Sequence, residues 1–117
     1  MNENYPLHET WFRFLDWVMD RTNTFPKNVR FSLTQRIQNL ALDLHEDIIE
    51  AIYTKNRLHI LHKMNMKLEK LRFLMRLSYH RNYINIQQFE HAVVSLEEAG
   101  KMIGGWIKKE SGHETER

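Results

Sequence analysis

Apolar side chains recur at alternating steps of three and four residues in four separate segments of the chain, which is the spacing of one face of an α-helix. The four predicted helices cover about residues 7–21, 32–53, 57–80 and 86–109. In the second and third helices the pattern is sustained along the whole segment, as is typical of a seam between packed helices. Short links join these segments, so consecutive helices are expected to run in opposite directions. The pattern predicts an all-α protein, folded as an up-down-up-down antiparallel four-helix bundle.

The chain has the length of one domain and ends in a polar segment. Residues 1–109 form the predicted domain, and residues 110–117, ESGHETER, form a tail that we expect to be disordered because it lacks an apolar anchor. The 117 residues include no cysteine, which excludes disulfides and thiolate ligands and suits a reducing compartment. No window approaches the roughly 20 apolar residues of a membrane span. We therefore expect a cytoplasmic protein that does not bind a membrane.

Positive charge is concentrated in residues 55–81, which hold eight of the seventeen lysines and arginines but only one acid, Glu69. The net charge of this segment is +7, against +2 for the whole chain. On a helix, three of its lysines share one flank, and Arg72 and Arg76 share the opposite flank. The candidate nucleic-acid-binding residues are Arg72, Arg76, Lys63, Lys67, Lys70, Lys55, Arg57 and Arg81. Such a helix is suited to a phosphate backbone, through contacts that depend on salt rather than on base sequence.

The third helix also carries more apolar surface than one face of a bundle requires. Phe73, Leu74 and Leu77 widen its apolar side beyond the seam, and they are the candidate residues of a contact between subunits. Additional packing on the first helix is the alternative explanation.

Three glycines inside the fourth predicted helix need a physical explanation. Gly100, Gly104 and Gly105 each cost about 1 kcal/mol of helix stability relative to alanine. The expected compensation is the close approach of another backbone or of a large side chain.

The residue types needed for catalysis or metal binding do not occur in a convincing pattern. His59 and His62 are three residues apart, but the Glu-x-x-His spacing of di-metal bundles is absent, so we predict no metal, no cofactor and no catalytic residue. Two alternatives from other functional classes remain open. One is a helical ribonuclease of the HEPN type, which uses an Arg and a His separated by four to six residues; the nearest pair, Arg76 and His80, has three between. The other is a purely structural bundle that binds proteins and whose basic stripes are only solvated.

Three short motifs resemble known families. Residues 25–33, with the pattern FPKxxRFxL, resemble the start of the second helix in four-helix-bundle proteins encoded in large-subunit rRNA intervening sequences. Residues 68–77, LxxLRFLMRL, and residues 96–108, LxxAGxMIGGWIK, together resemble the accessory variability determinant (Avd) proteins of diversity-generating retroelements.

The resemblance to Avd proteins implies a barrel-shaped homopentamer with a basic surface. It further implies association with the reverse transcriptase of the element and with its template RNA, or with an RNA–DNA hybrid, in support of adenine-directed mutagenic cDNA synthesis. Arg72 and Arg76 match the paired arginines of the family's motif. The chain departs from a uniformly basic surface in the acids of its second predicted helix, which are Asp43, Glu46, Asp47 and Glu50.

Overall fold

The protein folds as a bundle of four α-helices. The computed structural model describes residues 6–115, with side chains described as far as residue 112. Its elements in chain order are α1 (Pro6–Thr22), a 3-10 turn (Lys27–Val29), a π-helical turn (Arg30–Thr34), α2 (Gln35–Tyr53), α3 (Leu58–His80) and α4 (Ile86–Thr115). Each helix packs against the next one in the chain, and α1 also packs against α4. The predicted all-α class and four-helix bundle are confirmed.

The core consists of the apolar residues that recur at helical spacing. The fully buried set includes Trp11, Ile37, Leu44, Ile48, Leu61, Met64, Leu68, Leu71, Met75, Leu96 and Ile103. Trp11 has no exposed surface, and its indole Nε1 donates a hydrogen bond of 2.9 Å to the backbone oxygen of Ala41, so its one polar group is satisfied where α1 meets α2. Within residues 6–115, no helix is long and apolar enough to cross a membrane.

The link between α1 and α2 is more helical than the sequence predicted. Pro26 ends the preceding turn, and the chain then makes the 3-10 turn and the π-helical turn before the α-helix begins at Gln35. The predicted start of the second helix near residue 32 is therefore wrong by three residues. Periodicity cannot resolve this, because helical turns of different pitch place apolar residues at nearly the same spacing.

The link between α3 and α4 is fixed by a cap on each side. Asn82 adopts the left-handed conformation, with φ of 65°, and the amides of Asn82 and Tyr83 donate to the carbonyls of Tyr79 and Ser78, which is the Schellman arrangement at a helix C-terminus. Asn85 and Gln88 then cap α4 reciprocally: the amide of each donates to the side-chain oxygen of the other, at 2.9 and 2.8 Å. These hydrogen bonds set the angle at which α4 returns along α3.

The fourth helix continues past its predicted end. It extends to Thr115 rather than to about residue 109, so residues 110–115 of the predicted tail continue α4. Its last turns are held by Arg57, whose Nε lies 3.5 Å from Oε1 of Glu110 and whose guanidinium lies over the ring of Trp106. The sequence pattern missed this anchor because it is ionic and aromatic rather than aliphatic. Residues 1–5 of the predicted domain, and residues 116–117 of the predicted tail, lie outside the described residues.

A pair of histidines joins α1 to α2 near the N-terminus of α1. The Nε2 atoms of His8 and His45 are 3.2 Å apart, so one ring donates a hydrogen bond to the other. His45 is buried, and within the described part of the chain its Nδ1 has no hydrogen-bond partner. Burial lowers the pKa of His45, and the neighbouring His8 lowers it further, against an opposing effect of Glu9. The folded protein therefore disfavours the protonated form of His45.

We expect the protein to lose stability below pH 6.5, the usual pKa of histidine. The pKa of His45 is lower in the folded state than in the unfolded chain, so the unfolded chain binds the proton first, and the free energy of unfolding falls as the pH drops through this value. Urea unfolding measured between pH 5 and 8 checks this. His45→Gln should flatten the decline, whereas the control His62→Gln, at an exposed position on α3, should leave it unchanged. A decline that is identical in all three proteins would contradict this explanation.

Candidate nucleic-acid interface

At one end of the bundle, two segments of the chain carry basic residues and no acidic ones. Residues 21–42 hold Arg21, Lys27, Arg30 and Arg36, and residues 70–89 hold Lys70, Arg72, Arg76 and Arg81, with no aspartate or glutamate in either range. Both ranges surround links at the same end of the bundle, where the rings of Phe25 and Tyr83 meet at 5.3 Å. We call these two ranges together the acid-free end. It gathers eight of the seventeen cationic side chains of the chain.

Most of these cations are available to a ligand. The exposed ones are Lys27, Arg30, Arg36, Lys70, Arg76 and Arg81, whereas Arg21 and Arg72 are partly buried. The guanidinium of Arg81 lies 5.9 Å from the centre of the Tyr83 ring. Because Tyr83 also contacts Phe25, Arg81 of the second range lies close to the α1–α2 link, which carries Lys27 and Arg30. Cations from two distant parts of the sequence thus share one surface.

The two basic flanks predicted for α3 face different neighbours. On one flank, Lys67 pairs with Asp47 of α2, and Lys70 lines a groove against Arg36 and Leu40 of the same helix. On the other flank, Arg72 lies against α4. Lys67 and Lys70 thus lie on the α2 side of α3, and Arg72 lies on its α4 side.

Arg72 is held in place by the close approach of α3 to α4. A Cβ atom at Gly100 would lie 3.1 Å from Nη2 of Arg72 and 3.2 Å from Cδ2 of Leu68, so glycine makes room for both side chains. Nε of Arg72 also lies 3.0 Å from Oε2 of Glu69, but this contact lacks hydrogen-bond geometry, and the buried Nε has no hydrogen bond within the described residues. The side chain keeps 35% of its surface exposed. The guanidinium of Arg72 thus packs over Gly100 with Nη2, while about a third of the side chain stays open to solvent.

The expected compensation for the three glycines is confirmed at one position only. At Gly100 the large side chain that approaches is an arginine. A Cβ atom at Gly104 or Gly105 would meet no other atom within 4 Å among the described residues. Among the described residues, no close approach of another side chain or backbone explains these two glycines in α4.

Three of the predicted binding residues are engaged within the protein, Arg72 through its ion pair with Glu69. Lys67 forms its ion pair with the buried Asp47, and Arg57 donates to the backbone oxygen of Thr54 in addition to its contacts with α4. A phosphate would have to compete with these contacts, and binding through these residues stays a prediction. Lys55 and Lys63 are exposed, but they lie towards the other end of the bundle, in the α2–α3 link and the first turns of α3.

The three residues predicted for a subunit contact differ in accessibility. Phe73 is 62% exposed, Leu77 is partly buried, and Leu74 is only 6% exposed and belongs to the core. The structure therefore corrects the assignment of Leu74 to a subunit contact. Leu74 is buried because helices pack on two sides of α3. Met66, which the sequence argument did not single out, is exposed on α3.

Sequence reasoning missed the contribution of the α1–α2 link and of the first turns of α2. Lys27, Arg30 and Arg36 lie there, next to Phe31, which is 83% exposed. A signal was present in the sequence, because residues 21–42 form a run without any acidic side chain. Its net charge of +4 is smaller than the +7 of residues 55–81, so charge density in the sequence points to α3 alone.

The structure also locates the Arg–His pair of the ribonuclease alternative and the side chains that could bind a metal ion. Arg76 and His80 are both exposed and lie one turn apart on α3, so the pair of the ribonuclease alternative is on the surface. Among the described residues, no group of three or more histidine, aspartate or glutamate side chains is arranged to hold a metal ion.

Comparison with known proteins gives one finding. A family model described as bAvd-like matches residues 7–110, which includes all four helices except the last turns of α4. The comparison with curated proteins and the comparison with solved structures gave no match.

Proposed function

Because the chain belongs to the bAvd-like family, we propose that it is a non-catalytic, nucleic-acid-binding accessory protein of a diversity-generating retroelement. It acts in the cytoplasm, where it associates with the element's reverse transcriptase and with its template RNA and so supports mutagenic cDNA synthesis. The observation that carries the binding proposal is the acid-free end, with its eight cations. The family carries the retroelement context.

Electrostatics favours a nucleic acid over a small anion as the ligand of this end. The cations are spread over the ends of three helices and two links, which suits the repeated charges of a phosphate backbone better than one compact anion. Six of the eight cations are arginines, and the planar guanidinium of arginine can bind two phosphate oxygens at once. Each phosphate contact releases condensed counterions, so such binding weakens as salt rises.

The proposal includes assembly as a homopentamer. It is supported by the resemblance to Avd proteins, by the exposure of Met66 and Phe73 on α3, and by Gly104 and Gly105, where an added Cβ atom would meet no atom within 4 Å among the described residues. In a ring, the acid-free end is repeated around an axis. Several weak phosphate sites on one particle then act together, because the first contact raises the effective concentration of the others.

A salt titration of the purified protein tests the proposed function. We expect structured RNA to bind with an affinity that falls steeply as salt rises from about 50 to 200 mM. The RNA should stay intact during the titration, for the wild type and for His80→Ala alike, and light scattering should give the mass of a pentamer. Binding that ignores salt would contradict the electrostatic proposal. Cleavage that is lost in His80→Ala would favour the ribonuclease alternative, and a monomer at micromolar concentration would contradict the ring.

A further inference from the structure

A polar pocket lies in the acid-free end, between the C-terminus of α1 and the start of α2. Its volume is about 320 Å³, at the lower end of the range of small-molecule sites. The nine lining residues are Thr22, Asn23, Phe25, Pro26, Arg30, Phe31, Thr34, Gln35 and Gln38. The π-helical turn supplies three of them, and such turns occur frequently at functional sites.

The walls of the pocket offer hydrogen bonds that the protein does not use. Within the described residues, the side-chain amides of Asn23 and Gln35 make no hydrogen bond, and the buried hydroxyl of Thr34 has no partner. The amide nitrogen of Gln38 donates to the hydroxyl of Thr22 at 2.8 Å, which orients this side chain at the wall. A ligand that presents both donors and acceptors can therefore be bound here, since amides supply both.

Aromatic and cationic side chains stand at the rim of the pocket. Phe31 lines it while leaving 83% of its surface exposed, so the ring packs on little of its own protein. Arg30, the preceding residue, is exposed and lines the same pocket. An exposed ring beside an arginine is the combination on which single-stranded nucleic acids stack their bases while their phosphates are neutralised.

We propose that this pocket binds one unpaired nucleotide of a bound strand. The base stacks on Phe31, its hydrogen-bonding edge meets the amides of Gln35 and Asn23, and its phosphate pairs with Arg30. The lining carries an arginine and no acid, which disfavours a cation as the ligand, and the polar walls disfavour an apolar one.

This inference rests on the proposed function and adds to it. The acid-free end as such holds any phosphate backbone, paired or unpaired. The pocket distinguishes the two, because a base inside a duplex cannot leave its stack to enter it without losing pairing and stacking. The protein should therefore prefer RNA with unpaired residues, and it should place one of them next to the α1–α2 link.

The chain provides a matched control for Phe31. Phe73 is also an exposed phenylalanine beside cations, because it lines the α2–α3 groove together with Arg36 and Lys70. That groove lacks the side-chain amides of the pocket, since its other lining residues are Leu40, Glu69 and Leu74. Phe31→Ala and Phe73→Ala thus each remove an exposed phenyl ring from a basic surface. Only the ring of Phe31 lies beside side-chain amides that can form hydrogen bonds with a base.

The test compares a hairpin RNA that has an unpaired loop with a fully paired RNA of equal length, at one salt concentration. We expect Phe31→Ala to weaken binding of the hairpin about tenfold, as the loss of one base–aromatic stack does, and to leave the paired RNA unchanged. Because Phe73 also belongs to the proposed subunit contact, Phe73→Ala would weaken binding of both RNAs alike and should not change the ratio of the two affinities. Folding is not at risk, because both rings are largely exposed.

Other outcomes separate the two proposals. Equal losses for both RNAs, or no loss for either, would overturn the pocket while leaving electrostatic binding in place. If wild-type protein binds neither RNA, the proposed function fails and the pocket with it. A ribonucleoside monophosphate that binds in a Phe31-dependent manner, without any preference for the looped RNA, would assign the pocket to a free nucleotide and overturn the proposal of a strand.

Discussion

Replacing Arg72 and Arg76 together by alanine is expected to weaken RNA binding at least about tenfold at ~0.1 M salt, because each removed phosphate contact carries a counterion-release contribution. The slope of the logarithm of affinity against the logarithm of salt should become shallower by about two, roughly one for each contact. Both arginines belong to the acid-free end, and Arg76 is fully accessible. A salt titration of wild type and variant measures both quantities.

The control removes the same charge from the other end of the bundle. Lys55 and Lys63 are exposed like Arg76, and replacing both by alanine lowers the net charge by the same two units. We expect this variant to retain most of the affinity and of the salt slope. Equal losses in the two double variants would show that net charge alone matters and would contradict an interface at the acid-free end. Circular dichroism of both variants establishes that they fold, which matters most for the partly buried Arg72.

Replacing Trp11 by alanine is expected to lower the free energy of unfolding by about 3–5 kcal/mol, the usual cost of removing a buried aromatic side chain. Trp11 is fully buried at the contact of α1 with α2, and the variant also loses the hydrogen bond to Ala41. Since one domain has only about 5–15 kcal/mol of stability in total, the melting temperature should fall by on the order of 10–20 °C. Urea unfolding followed by circular dichroism gives the free energy.

Phe12 is the matched control for this substitution, because it is the next residue of the same helix and is 55% exposed. Phe12→Ala removes a ring of similar size and should cost less than about 1.5 kcal/mol, in proportion to its smaller buried area. A loss below about 1 kcal/mol for Trp11→Ala would contradict the packing of α1 described above. Similar losses for the two variants would show that the first helix is not docked by the Trp11 face.

The fold could be predicted because burial follows the helical period in this chain. Leu61, Met64 and Leu68 of α3 recur at that period, and all three are fully buried. Leu74 shows where the pattern fails. In sequence it lies beside the seam of α3, yet it is buried. The width of the buried face of a helix depends on how many helices pack around that helix. The length of α4 was missed for a related reason, since its last turns are held by Arg57 from another part of the chain.

The candidate site could be predicted only in part, because charge becomes a surface only after folding. The arginines of α3 follow from the sequence, and the position of Arg72 against α4 agrees with the glycine at residue 100. The pairing of Lys67 with Asp47 depends on the register of α3 against α2, which no local pattern contains. The joining of residues 21–42 to residues 70–89 depends on topology, and so does the pocket beside Phe31.

The glycine beneath Arg72 has a consequence for the thermodynamics of binding. Packing over Gly100 and the ion pair with Glu69 restrict the long side chain when the protein folds, so part of its rotational freedom is already lost before any ligand arrives. An arginine that is immobilised only on binding loses about 0.5–1.5 kcal/mol of affinity to that ordering. Arg76 has no described contact of this kind and is exposed, so its guanidinium must be ordered by the phosphate itself. Arg72 and Arg76 are one turn apart, and Arg72 is the preorganised one. The absence of a Cβ atom at Gly100 of α4 leaves the space that its side chain occupies.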